Sequence, residues 1–294
     1  MGDSMKEIDE FVEYIKYEKN FSNHTALNYQ KDLIDFFDFL KMNVYDITQD
    51  DIRKYLKMLY DKNYSNATIA RKTSTLKSFF KYLTGLDKIT KNPMLLISNP
   101  KKEKKLPNFL NYTDLDKLLN IPNLKLPEGI RDSLIMEMLY STGIRVSELI
   151  NIKLIDIDYG ERKIIILGKG NKERYVYYGS RCEELLNLYL KERKVSFPFS
   201  VYLFSNKHGG KMNDRVVRMI ISRNAKMAGL KINVTPHTLR HTYATHMLNE
   251  GADLKSVGDL LGHENLSTTQ IYTHISNERL RNVYLNAHPR AKKR

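Results

Sequence analysis

The chain has 294 residues, 41% of them hydrophobic, and 48 Lys and Arg against 34 Asp and Glu give it a net charge of +14. That composition excludes a disordered polyelectrolyte; the single cysteine, Cys182, excludes an internal disulfide framework, and no uncharged apolar run reaches membrane-spanning length. Residues 1–105 carry +4 and residues 106–294 carry +10, so nucleic acid is the leading partner, with a merely solvated basic surface as the alternative.

The chain begins without an apolar signal core, since Asp3, Lys6, Glu7, Asp9 and Glu10 crowd the first ten residues, and a cytoplasmic location is expected. Cys182 fits a reducing compartment as a small packing residue. Four amphipathic helices are expected in the first hundred residues. Ile8, Phe11, Val12 and Ile15 mark the first. Ser22 is the expected N-cap of the second, with Tyr29, Leu33, Phe36, Phe37 and Leu40 on one face. Thr48 and Asp51 open the third, burying Ile52, Tyr55, Leu56 and Leu59. Ser65 opens the fourth, with Ile69, Thr73, Leu76, Phe80 and Leu83 inward and Gly85 as a stop. The opposite face of that helix carries Arg71, Lys72, Ser74, Lys77 and Lys81, either a solvated face or one that meets phosphates.

Two prolines bracket the charge run Lys101-Lys102-Glu103-Lys104-Lys105, so residues 100–109 read as a basic linker between a helical domain, 1–99, and a second domain, 110–294. The second domain is mixed. An apolar helix is expected from Ile130 to Tyr140, and short strands from Ile150 to Ile157 and from Arg162 to Leu167. Gly168-Lys169-Gly170-Asn171-Lys172 is a turn, and Arg174 to Tyr178 is the returning strand. Asn213 caps a helix to about Ala228, with Val216, Val217, Ile220 and Ile221 inward and Lys211, Arg215 and Arg218 as an outward basic stripe. Helices follow over His237–Leu248 and Leu254–Leu261, then a short one capped by Ser267 that carries Tyr272, and a last one over about 277–287 with Leu280, Val283 and Tyr284 on one side. The expected fold class is mainly α with a small β-sheet or hairpin (α+β).

Several of these residues together suit phosphodiester chemistry. A phosphate diester gains charge on its non-bridging oxygens when a nucleophile adds, and the planar guanidinium fork answers two oxygens without losing its own charge. Arg145 and Arg240, from separate segments, are candidates to clamp those oxygens. His237 and Arg240 stand three apart just after Thr235-Pro236, on one face of a first helical turn whose N–H groups point at an anion. His263 follows Gly262 at a helix end, and Tyr272 lies nine residues on as the candidate nucleophile. Lys169, at a hairpin tip, is a candidate proton donor to the leaving 5′ oxygen. Each residue also has a plainer reading: Arg145 as an ion pair with Glu148, Tyr272 as packing, Lys169 and Lys172 as solvated turn lysines. His237 and His241 have the i, i+4 spacing of a zinc pair, but no Glu follows the first and no third ligand is evident, so no metal and no cofactor are expected.

In the order Arg145, Lys169, His237-x-x-Arg240, His263 and Tyr272, the chain resembles the tyrosine recombinase (phage integrase) family, and within it the Xer subfamily. Gly262, the pair Thr268-Thr269, Tyr284 and His288-Pro289-Arg290-Ala291 extend the likeness, which runs nearly the whole length. One departure is visible: Arg174-Tyr175-Val176-Tyr177-Tyr178-Gly179 stands where relatives often carry Val-Pro-Leu-Gly. The resemblance implies a two-domain DNA clamp, a helical core-binding domain plus a recombinase catalytic domain. Its implied activity is metal- and ATP-independent cleavage and rejoining of DNA at specific sites, through a 3′-phosphotyrosyl bond and a Holliday junction. It implies resolution of chromosome or plasmid dimers, with a mobile-element integrase or a type IB topoisomerase-like relaxer as alternatives. Glu148 and His241 would support the catalytic six, and Arg71, Lys72, Lys77, Lys172, Lys211, Arg215 and Arg218 are candidates to touch the duplex. The implied partners are duplex DNA, three further copies through the C-terminal helix with Leu280 and Val283 facing a neighbour, and either a paralogous recombinase or a septal DNA translocase.

Overall fold

The computed structural model describes residues 2–19, 21–100, 109–168, 173–262 and 277–291. The chain divides into two compact units, Met1–Lys105 and Leu106–Arg294. No helix among the described residues is long and apolar enough to cross a membrane.

The first unit is four helices: α1, Gly2–Tyr17; α2, Asn23–Leu40; α3, Gln49–Asp61; and α4, Asn66–Gly85. Local chemistry sets their starts. Ser22 and Ser65 each accept a backbone N–H three residues on, and Thr48 forms a capping box with Asp51. The α4 helix ends at Gly85 as expected, but the left-handed residue beyond it is Asp87, at φ 55°. Aromatic rings fill the centre: Phe36 meets Tyr55 edge-on at 5.0 Å, and Phe11 meets Phe79 at 5.3 Å. Such pairs each add about 0.5–1.5 kcal/mol beyond area burial.

One expected surface residue turns inward. Lys72 is 4% exposed, and its Nζ donates to Asp35 Oδ2 at 2.7 Å and lies 3.1 Å from Asp32 Oδ1. Asp32 is itself buried and also takes bonds from Arg71 and from Thr75 Oγ1. A carboxylate facing α4 from α2 needs cations, and Lys72 lies on the side of α4 that can supply one. Burial opposes the Lys72 charge, but Asp35 and then Asp32 outweigh it and hold the ammonium up at about 12. Lys72 therefore does not offer a charge to a duplex, whereas Lys81 on the same helix is exposed and Lys77 half-buried. Lys72→Ala should cost about 2–3 kcal/mol, because Asp32 keeps only part of its partnership, while Lys77→Ala should cost under about 0.5 kcal/mol. Urea titration of the two variants checks this; equal midpoints would refute the inward assignment.

The second unit is mainly helical around a small sheet. Its elements are α5, Tyr112–Leu119; α6, Pro127–Thr142; α7, Val146–Leu149; β1, Ile157–Asp158; β2, Lys163–Leu167; β3, Glu173–Tyr177; α8, Ser180–Ser196; α9, Asp214–Met227; α10, Pro236–Asn249; α11, Leu254–Leu261; and α12, Asn277–Ala287. The strands are antiparallel in the order β1-β2-β3, with Ile164 opposite Val176 and Ile166 opposite Arg174. The α6 helix is buried on nearly all sides from Asp132 onward, Asp132 and Glu137 included, and runs through the core, packed by α8 and α10.

Several expectations change here. Residues 150–157 do not form the expected strand, of which only Ile157, at the start of β1, is in one. Leu154 N–H donates to the Val201 carbonyl and Leu203 N–H to that of Ile152, and the chain between winds into a 3-10 turn closed by Asp156 accepting from Lys153 N–H. Ile155 is left 89% exposed. Val216, expected inward, is exposed, while Val217, Ile220 and Ile221 are buried. The α5 and α8 helices are additions to the expected elements. Leu280 and Val283, expected to face a neighbouring copy, are half-buried against this chain's own core, where Tyr284, Ala287 and His288 anchor the end of α12.

Candidate active site

Four helix ends and one strand meet in the second unit. The α6 helix stops at Gly143, whose φ of +63° suits a residue without a Cβ, and a Cβ there would lie 2.7 Å from the Tyr243 ring. Two residues on, Arg145 caps the start of α7. Its backbone N–H donates to Glu148 Oε2 at 2.7 Å and its Nη1 to Glu148 Oε1 at 2.9 Å. The α10 helix starts at Thr235-Pro236, Thr235 accepting from Thr238 N–H at 3.1 Å. His237 and Arg240 lie three residues apart on that helix, as expected, but His237 at the very start is exposed while Arg240 is buried. The α11 helix ends at Gly262, at φ +67°.

Arginines gather at that last helix end. A helix C-terminus has carbonyls without intrahelical donors and a partial negative charge. Arg240 Nη2 donates to the Leu261 carbonyl at 2.7 Å, and its Nη1 to the Gly143 carbonyl at 2.6 Å. Arg145 Nη2 donates to the Gly262 carbonyl at 3.2 Å. Arg174, from β3, donates from Nε to the Leu260 carbonyl at 3.2 Å. Its two Nη atoms grip both Glu148 oxygens, at 3.1 and 2.9 Å. Three successive carbonyls thus meet three guanidiniums.

The electrostatics are lopsided. Glu148 is the one carboxylate among the described residues bonded to this group, and it is buried. Burial would raise its carboxyl, but Arg174 first and Arg145 next hold it below the usual carboxylate range. Arg240 is 7% exposed. Burial, and after it the charge of Arg145, pull its guanidinium down to about 10, so it stays charged at neutral pH. Arg145 keeps its side chain partly open to solvent. Three positive groups and one negative group leave an excess that an anion would complete.

The structure thus brings Arg145, Glu148 and Arg240 together, with His237 on the first turn of the Arg240 helix. His241 lies near the Phe109 ring, with centroids 6.3 Å apart. Lys169, Lys172, His263 and Tyr272 lie outside the described residues; His263 is the residue bonded to Gly262, and Lys169 and Lys172 fall between β2 and β3. Lys211, Arg215 and Arg218 are exposed around the start of α9, with Lys211 donating to Asn151 and Arg218 paired to Asp214. Arg71, its side chain partly exposed, is paired to Asp32. No group of three or more His, Cys, Asp or Glu suited to a metal occurs among the described residues.

Arg174 belongs to this group although motif spacing did not single it out. The signal was its strand register: period two sets it on the face of Val176, which is buried, and a cation on an inward face needs an internal anion.

Residues 108–279 match the phage integrase family, and residues 8–85 match the phage integrase N-terminal SAM-like domain. Tyrosine recombinase XerC of Oceanobacillus iheyensis is 44% identical over 293 residues, 97% of this chain and 96% of that protein. Among solved structures, XerA recombinase is 30% identical and aligns with a TM-score of 0.52, covering 98% of this chain and 99% of that one. XerH bound to palindromic difH substrate, in a post-cleavage complex, is 23% identical and aligns in fold with a TM-score of 0.71, over 96% of this chain and 95% of that one.

Proposed function

The chain belongs to the phage integrase family, in its Xer group of tyrosine recombinases, and from that premise we propose that it cleaves and rejoins DNA at specific sites through a 3′-phosphotyrosyl intermediate. The observation that carries this reading is the cluster of Arg145, Arg174 and Arg240 around Glu148, the one carboxylate bonded to it among the described residues, a group with positive charge in excess. A scissile phosphate answers that excess.

In the proposed reaction the Tyr272 phenol oxygen attacks phosphorus, the bond from phosphorus to the 5′ oxygen breaks, and Lys169 protonates the departing oxygen to a hydroxyl. Arg145 and Arg240 donate to the non-bridging oxygens, where charge builds. His237 is exposed three residues before Arg240, and an imidazole nitrogen can accept a proton, so it is assigned the phenol proton. His263 adds a donor to the same phosphate. Attack by a 5′ hydroxyl on the phosphotyrosine runs the step backwards and restores Tyr272, so no ATP is needed.

The natural partner is duplex DNA, met by Arg71, Lys77, Lys172, Lys211, Arg215 and Arg218 as well as the arginine cluster. Lys72 is left out of that set because it is buried. Near-full-length likeness to XerC favours resolution of chromosome or plasmid dimers in the cytoplasm over mobile-element integration. Assembly into a tetramer on DNA, with a paralogous recombinase or a septal DNA translocase as further partners, belongs to the same reading. The α12 helix would change partners on assembly, since its apolar side is covered by its own chain.

The test is a duplex selected by the protein from a randomised pool and nicked near the cleavage point, so that the freed 5′ end diffuses away. A covalent protein–DNA band should form in EDTA, and peptide mapping should find the nucleotide on the peptide containing Tyr272. Absence of any covalent species on every selected duplex would refute the recombinase reading.

A further inference from the structure

Arg174 differs from the other two arginines in where its donors go. All three of its nitrogens are bound among the described residues, the Nη pair to Glu148 and Nε to the Leu260 carbonyl, whereas the buried Arg240 bonds there through its two Nη atoms alone and Arg145 keeps its side chain partly open to solvent. Arg174 thus has no open fork for a phosphate. It makes a junction instead. Glu148 accepts four bonds, two from Arg145 and two from Arg174, so half of its partners come from β3. The same guanidinium reaches the end of α11, where a Cβ on Gly262 would lie 3.1 Å from Arg174 Nε. One side chain therefore ties the returning strand of the hairpin to the residue that orients Arg145, and to the helix end that holds both Arg145 and Arg240.

We propose that Arg174 is a positioning residue for strand cleavage: it fixes Glu148, and through it the Arg145 fork, and registers the β2–β3 hairpin against the end of α11. The proposal rests on the recombinase reading above. Its physical basis is that Arg145 and Arg240 repel each other, so their spacing persists only while fixed acceptors hold both. Arg174 holds two of those acceptors in turn, Glu148 directly and the α11 carbonyl row at Leu260. Lysine cannot replace it, because one ammonium lacks the fork that grips two carboxylate oxygens while a third N–H reaches elsewhere.

The experiment uses the full chain on the nicked selected duplex, with single-turnover formation of the covalent species followed across pH. In Arg174→Ala the rate should fall about 30–100-fold, the scale of a small misplacement of reacting groups. The duplex dissociation constant should stay within about threefold, because affinity draws on many phosphates. The acid limb of the rate profile should also move to higher pH. Glu148 faces Arg145 from α7, Arg174 from β3 and Arg240 from α10; without Arg174 it stays buried with fewer cations and protonates more readily. Adding Glu148→Gln to Arg174→Ala should remove that movement, which a loss of folded protein would not mimic.

Arg174→Ala cleaving at the wild-type rate with an unmoved acid limb overturns the proposal. So does a loss of cleavage matched by an equal loss of duplex affinity, which marks Arg174 as an anchor. Should the alanine variant melt below the assay temperature, Arg174→Lys decides: a tenfold or greater loss at unchanged affinity supports the proposal, and a wild-type rate overturns it. Failure of the unaltered chain to form any covalent species counts against the recombinase reading itself and is told apart in that way.

Discussion

Arg240→Ala should slow covalent-complex formation on the nicked duplex by about a thousandfold, the scale for removing a donor aimed at developing charge on an acyl or phosphoryl oxygen. The duplex dissociation constant should change by less than about threefold at fixed salt, because many phosphate contacts share the binding. The substitution also strands the Gly143 and Leu261 carbonyls, which Arg240 binds at 2.6 and 2.7 Å, and should lower stability by about 2–3 kcal/mol. Cleavage must therefore be normalised to folded protein from a urea titration. Arg240→Lys tests geometry against charge: it keeps the charge but lacks the fork, and should remain at least about thirtyfold slow. Cleavage and affinity falling together in Arg240→Ala would recast this residue as an anchor for the duplex. Arg145→Ala should show the same split with less effect on stability, because its side chain is partly exposed.

With Tyr272→Phe the covalent band should vanish altogether, while duplex affinity and the unfolding midpoint stay close to those of the unaltered chain. The change removes one oxygen atom and with it the nucleophile, so the expected loss is limited only by detection. Four buried phenols of the same unit do not substitute for it. Tyr140, Tyr178, Tyr243 and Tyr284 are buried in the core, and burial pushes each phenol well above its ordinary range, so none readily forms a nucleophilic phenolate. Persistence of a covalent species in Tyr272→Phe, mapped to any other residue, would overturn the nucleophile assignment and leave the arginine cluster as an anion site of another kind.

Some of this structure is written in short stretches of chain. Ser22, Thr48, Ser65 and Asn213 cap their helices because a side-chain oxygen need reach only two or three residues along the backbone. The inward faces of α1 and α3 follow from spacing alone. The motif containing Arg145 and the one containing Arg240 are likewise local, and their residue types by themselves suit a phosphodiester.

What failed to read was whatever depends on a partner distant in sequence. Residues 150–157 are apolar enough for a strand, but Asp156 on the Lys153 N–H closes a 3-10 turn within them, and the isolated antiparallel bridge there, Lys153 to Tyr202, has its partner about fifty residues away. Lys72 sits in a run of basic residues, yet Asp32 and Asp35 on another helix draw it inward. Leu280 and Val283 form an apolar side that a neighbour or this chain could cover, and packing within a single copy sets it against this chain's own core.

The sequence alone therefore determined the chemical inventory, the helical character and the family, because these rest on residue types and local spacing. Only the tertiary structure decided which cations face an anion and which are neutralised. It joined Arg145, Arg174 and Arg240 at three successive carbonyls of one helix end, and gave them one carboxylate among the described residues. The reason is that a guanidinium's direction is set by acceptors up to 117 residues away along the chain, as from Arg145 to Gly262, and a linear pattern carries no record of that distance once folded.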